Sequence, residues 1–227
     1  MHSATELTRD SFTITIEGRQ AELADVFPGF QWSDRLGVVV RSPCGGVGAS
    51  ALILAAVTGF YEQQRARSDD FFIYPDYFVF HVGARHGDHG MLDVWPDHKE
   101  VTVPDDAEAL LQAINDRGIT RLVVENGAAR QPELSRHTRE SAESRIVSAL
   151  VFGDLPDGDI EVRGNAVTES YVDDVLDAST MVPAEVRESI RAARRDGPAT
   201  ETYRRIPLEQ AFALLAATPS ASPPLYG

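Results

Sequence analysis

The segment "LGVVVRSPCGGVGASALILAAV", Leu36 to Val57, constrains the fold more than any other part of the chain. Leu36 to Arg41 is an apolar run closed by a charge, as a buried strand would be. A tight glycine turn follows, and then a helix from about Val47 to Arg67. That helix is apolar nearly all round before it ends in charges, which predicts a central, buried position.

The rest of the chain extends the same pattern. "FTITI" (Phe12 to Ile16) alternates polar and β-branched apolar residues, as a half-buried strand does. "FFIY" and "YFVFHV" read as strands broken at Pro75, with "MLDVW" and "EVTV" after them. "DDAEALLQAINDRG" places Ala107, Leu110, Leu111 and Ile114 on one helical face, opened by acids and closed by Gly118. With the strand "ITRLVVE" behind it, Glu100 to Glu125 is a strand–helix–strand unit. Helices are expected over 132–152, 168–177, 183–195 and 207–217, with short strands at "DIEVRG" and "TETYRRI". The expectation is one α/β domain over 1–217, a mixed β-sheet flanked by helices with a more helical C-terminal portion. Residues 218–227, "TPSASPPLYG", fit a disordered tail.

Charge narrows the function. Thirty-five acidic residues against 21 basic ones give a net charge of −14. No Lys/Arg run supplies the basic surface that phosphate neutralisation requires, so no nucleic acid partner is expected. An anionic membrane is disfavoured on the same ground. The longest apolar run, Ala49 to Tyr61, falls short of the about 20 residues that span a bilayer. The start lacks a basic stretch followed by an apolar core, and Cys44 is the one cysteine, so a cytoplasmic, reducing setting is expected. Lys99 is the one lysine among the 21 basic residues, an arginine bias that reads as bacterial, from a GC-rich genome.

"SPCGGVGAS" has three functional readings. Gly45, Gly46, Gly48 and Ser50 at a helix start could bring backbone N–H groups to an anion. "GGVGAS" resembles the deviant phosphate loops of the partition and pilus-assembly ATPases, with Ala49 where most such loops carry lysine. That resemblance implies nucleotide binding. Alternatively Cys44 is a nucleophile, since Ser42 and Gly46 stand two residues either side of it, the spacing of a sharp strand-to-helix turn. A helix N-terminus would lower the thiol pKa, and the thiolate is the reactive form. The motif resembles the G-x-C-x-G of α/β-type cysteine hydrolases, with Ser42 at the first glycine. The third reading is a buried cysteine packed beside a close-fitting helix.

"FVFHVGARHGDHGMLDVWPDHKEV" holds four of the six histidines. A hairpin between "YFVFHV" and "MLDVW" would, in one register, set His81 opposite Asp93. His86, Asp88 and His89 would then crowd the tip, a donor set suited to a divalent metal such as zinc, iron or manganese. "HGDH" resembles the H-x-D-H half of the metallo-β-lactamase signature, with Ala84 where the first histidine would be. A solvated tip is the plain structural alternative.

Ligands of open α/β sheets bind beyond the carboxyl ends of strands. If the strands before the two loops run the same way, Cys44 and the histidines meet at one edge. The expected function is a small cytosolic enzyme acting on a small organic molecule by hydrolysis or acyl transfer. Cys44 would attack, His86 or His89 would act as base oriented by Asp88, and His81 with Asp93 would form a supporting pair. The alternatives are a metal-dependent enzyme on the same histidines, and a non-catalytic ligand-sensing or protein-interaction protein acting as a homodimer.

Overall fold

Apolar runs buried on both sides settle as interior parallel strands, and alternating runs settle where one face meets water. Both kinds occur here in one nine-stranded mixed sheet. A computed structural model describes residues 12–40, 53, 56, 57, 60, 77–83, 100–126, 129–130, 145–153, 155–164, 188, 200–215 and 218–219. Its strands are β1 (Phe12–Ile16), β2 (Arg19–Ala21), β3 (Leu36–Val40), β4 (Tyr77–Val82), β5 (Glu100–Val103) and β6 (Arg121–Glu125). After the two-residue β7 (Ala129–Arg130) come β8 (Ser148–Phe152), β9 (Ile160–Gly164), β10 (Thr200–Ile206) and β11 (Thr218–Pro219). The sheet order is β2-β1-β9-β10-β8-β6-β3-β4-β5, while β7 and β11 pair separately.

The sheet has two halves. From β5 through β4, β3 and β6 to β8, every neighbouring pair is parallel. Beyond β8, the β10, β9, β1 and β2 strands pair antiparallel. β9 shows the half-exposed pattern, with Glu161 and Arg163 outward and Ile160 and Val162 inward. A two-residue turn joins β1 to β2, with Glu17 at φ 50° and Gly18 at φ 73°. Two successive positive φ values match the twist of the flanking strands.

Three short helices flank the sheet among the described elements: α1 (Leu23–Val26), α2 (Ala107–Asp116) and α3 (Leu208–Leu215). Ile53, Ala56 and Val57, helical residues between β3 and β4, pack on one face with Val38, Val40, Val79, Val123 and Leu150. α2 and α3 pack on the other face with Val39, Phe80, Val124 and Val151. The chain steps outward from β3 to β4 with a helical segment on one face. It returns from β5 to β6 in the opposite direction with α2 on the other face. Opposite direction on opposite faces gives both crossovers the same hand, as strand twist demands.

α2 follows its sequence signals closely. Asp106 accepts from the Ala109 N–H at 2.7 Å, and Leu110, Leu111 and Ile114 are buried. Gly118, at φ 63°, turns the chain out of the helix. Its N–H reaches Asn115 O and the Ile119 N–H reaches Ile114 O, satisfying two last-turn carbonyls.

Four expectations change. Residues 148–152, placed in a helix, form β8 instead, buried at Ala149, Leu150, Val151 and Phe152. A short apolar run looks the same in both structures, and pairing with β6 and β10 decides for the strand. The hairpin that set His81 opposite Asp93 does not form, because β4 has β3 on one side and β5 on the other. The more helical C-terminal portion is not confirmed: the described residues after 126 lie mostly in strands, with α3 and the helical Glu188 between them. Past Ala217, Thr218 and Pro219 pair with Arg130 and Ala129. The remainder of the tail, "FFIY", "MLDVW" and most of 168–195 lie outside the described residues.

Two constraints at the amino ends of the parallel strands hold the sheet together. Gly37 leaves room on β3: a Cβ there would stand 2.9 Å from Ile119 Cγ2 and 3.2 Å from Phe80 Cε2. Both neighbours are buried and cannot swing away. Gly37→Ala should therefore lose about 1–3 kcal/mol in urea unfolding through overpacking; a variant as stable as the parent would show that the strand relaxes freely.

Arg121, the buried charged residue of the described core, lies at the start of β6. Its Nη2 and Nε donate to Asp34 Oδ2 at 3.0 and 3.2 Å, and Nη1 donates to Pro28 O and Ser148 Oγ. Asp34 also accepts from Thr120 Oγ1 at 2.9 Å. The pair pins the 27–35 loop under the sheet. Arg121→Ala should cost about 3–5 kcal/mol by stranding the carboxylate, and Arg121→Met with Asp34→Leu should recover most of it. Equal loss in the single and double variants would assign the effect to packing instead.

Candidate functional site

Five parallel strands deliver their last residues, Val103, Val82, Val40, Glu125 and Phe152, to a single edge. From β3 the chain winds to β4 and β5 on one side. From β6 it winds to β8 on the other. The order reverses between β3 and β6, and the crevice outside such a reversal is where doubly wound sheets bind ligands. The segment carrying Cys44 leaves β3 at that point.

Register and alternation then fix which side chains share one face at this edge. Val40 pairs with His81, and His81 with Thr102. On the other side, Val39 pairs with Val124, so Glu125 is level with Val40, and Glu125 pairs with Phe152. Val40, Val79, Val123 and Phe152 belong to one core cluster, whereas Phe80 and Val124 belong to the other. Strand side chains alternate, so His81 and Glu125 lie on the Val40 face, the face that also receives Ile53, Ala56 and Val57. Neighbouring strands are about 4.8 Å apart, which puts the backbones at His81 and Glu125 roughly 9.5 Å from each other with Val40 between. Val40 is buried, and His81 and Glu125 are half-buried.

The same row continues into the antiparallel half. Tyr203 pairs with Phe152, is fully buried, and donates its hydroxyl proton to Glu201. Because β10 runs against β8, Glu201 extends beyond the carboxyl end of β8. Glycines shape the rim: Gly83 turns the chain after β4 at φ 97°, and Gly153 after β8 at φ 121°. A Cβ on Gly83 would meet nothing within 4 Å. Asn126, exposed just after β6, donates its N–H to Phe152 O at 2.7 Å.

Of the residues singled out from sequence, His81 is placed by the structure, at the carboxyl end of β4. Cys44, Gly45, Gly46, Gly48, Ser50, His86, Asp88, His89 and Asp93 lie outside the described residues. Their segments begin at Arg41 and Ala84, directly after strands that are adjacent and parallel, which meets the condition set for bringing them to one edge. Sequence reasoning missed Glu125. Its signal was available, a carboxylate ending the otherwise apolar "LVVE", but such an ending also fits any strand emerging into water.

An imidazole and a carboxylate either side of an apolar floor can exchange protons with opposite sides of a bound molecule. Among the described residues, no group of three or more His, Cys, Asp or Glu is gathered as for a metal ion. No described helix is long and apolar enough to cross a membrane. Comparison with known proteins found no matching family model, no matching curated protein and no matching solved structure.

The metal reading of His86, Asp88 and His89 has a direct check in tag-free protein. If those side chains hold a divalent ion, mass spectrometry finds near-stoichiometric zinc, iron or manganese that His86→Ala/His89→Ala loses. Equal metal content in parent and variant excludes that donor set.

Proposed function

We propose that the chain is an enzyme acting on a small organic molecule at the carboxyl edge of β3, β4 and β6, by hydrolysis or acyl transfer. The observation that carries this reading is the parallel pairing of β3 with β4 next to the β3/β6 reversal. It starts the Cys44 segment and the histidine segment side by side, where α/β sheets hold ligands. Its proposed setting is cytoplasmic, in keeping with a single cysteine in the chain.

In the proposed chemistry, His86 or His89, oriented by Asp88, takes the Cys44 thiol proton. The thiolate attacks a carbonyl carbon of the substrate, and the carbonyl π electrons move onto oxygen. Backbone N–H groups of Gly45 and Gly46 would steady that oxyanion. Its collapse expels the leaving group, which takes the proton from the imidazolium, and leaves a thioester on Cys44. Water, deprotonated by the same histidine, then releases the acid and restores the thiol; an acceptor alcohol or amine in place of water makes the reaction a transfer. His81, on β4 beside Val40, stands at the base of this arrangement.

Alkylation tests the nucleophile. Under native conditions at pH 7, iodoacetamide should modify Cys44 about ten times faster than a free thiol of ordinary pKa, and His86→Ala/His89→Ala should remove that advantage. Cysteine that reacts only after unfolding in urea would sink the reading and favour a non-catalytic ligand-sensing or interaction protein. A metal-dependent enzyme is the outcome favoured if Cys44 is inert while the histidines prove to hold metal.

A further inference from the structure

We propose that the amino-end face of the parallel strands docks a protein partner through an acidic segment that also carries a large apolar side chain. This surface lies at the opposite end of the strands from the edge given the chemistry above, and it stands independently of that chemistry.

The segments that enter the neighbouring strands β3, β6 and β8 are joined into one surface. Thr120 is the hub. Its N–H donates to Arg35 O at 2.9 Å, its hydroxyl donates to Asp34 Oδ1 at 2.9 Å, and its carbonyl accepts from the Val147 N–H at 2.8 Å. Trp32 stands at the corner of a tight turn. The Asp34 N–H closes that turn onto Gln31 O at 3.0 Å, and the Gln31 N–H donates back to Asp34 Oδ2 at 2.8 Å. Because Asp34 is itself bound to Arg121, the turn is anchored to the sheet. Trp32 and Val147 are nonetheless 63% and 60% exposed, the two large apolar side chains left in water among the described residues. Single exposed apolar groups are ordinary. Here both belong to one hydrogen-bonded surface, beside a cluster of arginines.

Those arginines gather around the end of α2. Arg145 Nη1 donates to Asn115 O at 2.9 Å and Arg117 Nη1 to Ala113 O at 3.4 Å. The Arg117 guanidinium also lies 5.6 Å from the centre of the Phe78 ring, which holds it in place. Arg35 joins them through Arg117 O, and a Cβ on Gly118 would stand 3.5 Å from Arg35 Nη1 and 4.0 Å from Arg145 Nη1. Capping helix carbonyls uses one donor of Arg117 and one of Arg145, and a guanidinium has five. Among the described residues, neither Arg117 nor Arg145 forms an ion pair, whereas Arg121 pairs with Asp34 and Arg204 with Asp157. Asp116, exposed at the same helix end, accepts from Gln112 Nε2 at 2.6 Å and offsets only part of this charge.

In a chain of net charge −14, a local excess of cations is the exception. A carboxylate matches the fork of a guanidinium, and an apolar side chain beside it would cover the indole. Tryptophan and arginine are also the residues enriched where protein interfaces gain most of their energy. A nucleic acid fits less well, because the field of the whole chain repels a polyanion. A second copy placed by a two-fold axis would set these arginines against one another.

A display library of random peptides, selected on the native full chain, supplies the probe. Clones that bind the parent but not Trp32→Ala or Arg117→Gln/Arg145→Gln should be rich in aspartate and glutamate, with a leucine, isoleucine or aromatic residue among them. With one such peptide synthesised, Trp32→Ala and Arg145→Gln should each weaken binding about fivefold or more. The bound peptide should also shift tryptophan emission to the blue in the parent and leave it unmoved in Trp32→Ala. Unchanged urea midpoints certify that the variants are folded. Arg204→Gln, at an arginine already paired with Asp157, should bind as the parent does. The proposal is overturned if no clone distinguishes the parent from these variants, or if the clones that do are basic. Self-association of the parent in sedimentation that Trp32→Ala abolishes also overturns it, and gives the face to a second copy of the chain.

Discussion

A strand with neighbours on both sides and packing on both faces has nowhere to put a polar side chain. β3 is in that position: Leu36, Gly37, Val38, Val39 and Val40 are all buried. Every other parallel strand is placed relative to it. β4 and β6 take its two hydrogen-bonding sides, and because both pairings are parallel, each must be reached by a crossover over one face. One crossover covers the Val38 and Val40 face and the other covers the Val39 face, so burial of β3 is complete only when both are in place. Gly37 belongs to this logic. Without a side chain it lets Ile119 and Phe80 close over the strand on the α2 side.

The two ends of the parallel strands carry different burdens. At the amino end, polar groups are consumed by one another: Arg121, Asp34, Thr120 and Ser148 form a closed set of hydrogen bonds that ties a long loop to the sheet. Removing water from that guanidinium is tolerable because Asp34 Oδ2, Pro28 O and Ser148 Oγ all accept from it. At the carboxyl end the polar groups are spread out. His81 and Glu125 are separated by an apolar residue, and positive-φ glycines follow β4 and β8.

Periodicity made much of this legible. β1, β3, β4, β6, β9 and β10 follow from alternation or from continuous apolar runs, and α2 from its cap, stripe and closing glycine. What failed was decided by distant partners. "SALVF" is equally apolar as a strand or as a helical turn, and β6 and β10 settle it from more than 20 residues away in either direction. "YFVFHV" invited pairing with the next apolar run, yet β5 and β3 were the better neighbours because a buried interior position satisfies both of its edges. The three-residue β2 and the four-residue α1 are too short to show a period at all. The edge that holds the candidate site was predictable in kind, since loops after parallel strands converge. Glu125 was not, because its neighbours depend on strand order, and strand order is not written in any local pattern.

Strand order also gives the charge of this edge a meaning. A glycine-rich turn after β3 would ordinarily suggest a phosphate, since backbone N–H groups at a helix start favour anions. In this sheet the strand beside β3 ends in a carboxylate level with Val40, and that carboxylate would repel the same anion at close range. The two features are compatible if they act on different parts of one molecule or at different moments. If Cys44 attacks as proposed, glycine N–H groups beside it would meet negative charge only as it develops on a carbonyl oxygen. Transition-state charge, absent from the bound substrate, is what preorganised donors stabilise most effectively. Glycine N–H groups in that role would set how fast a bound molecule reacts rather than which molecule binds.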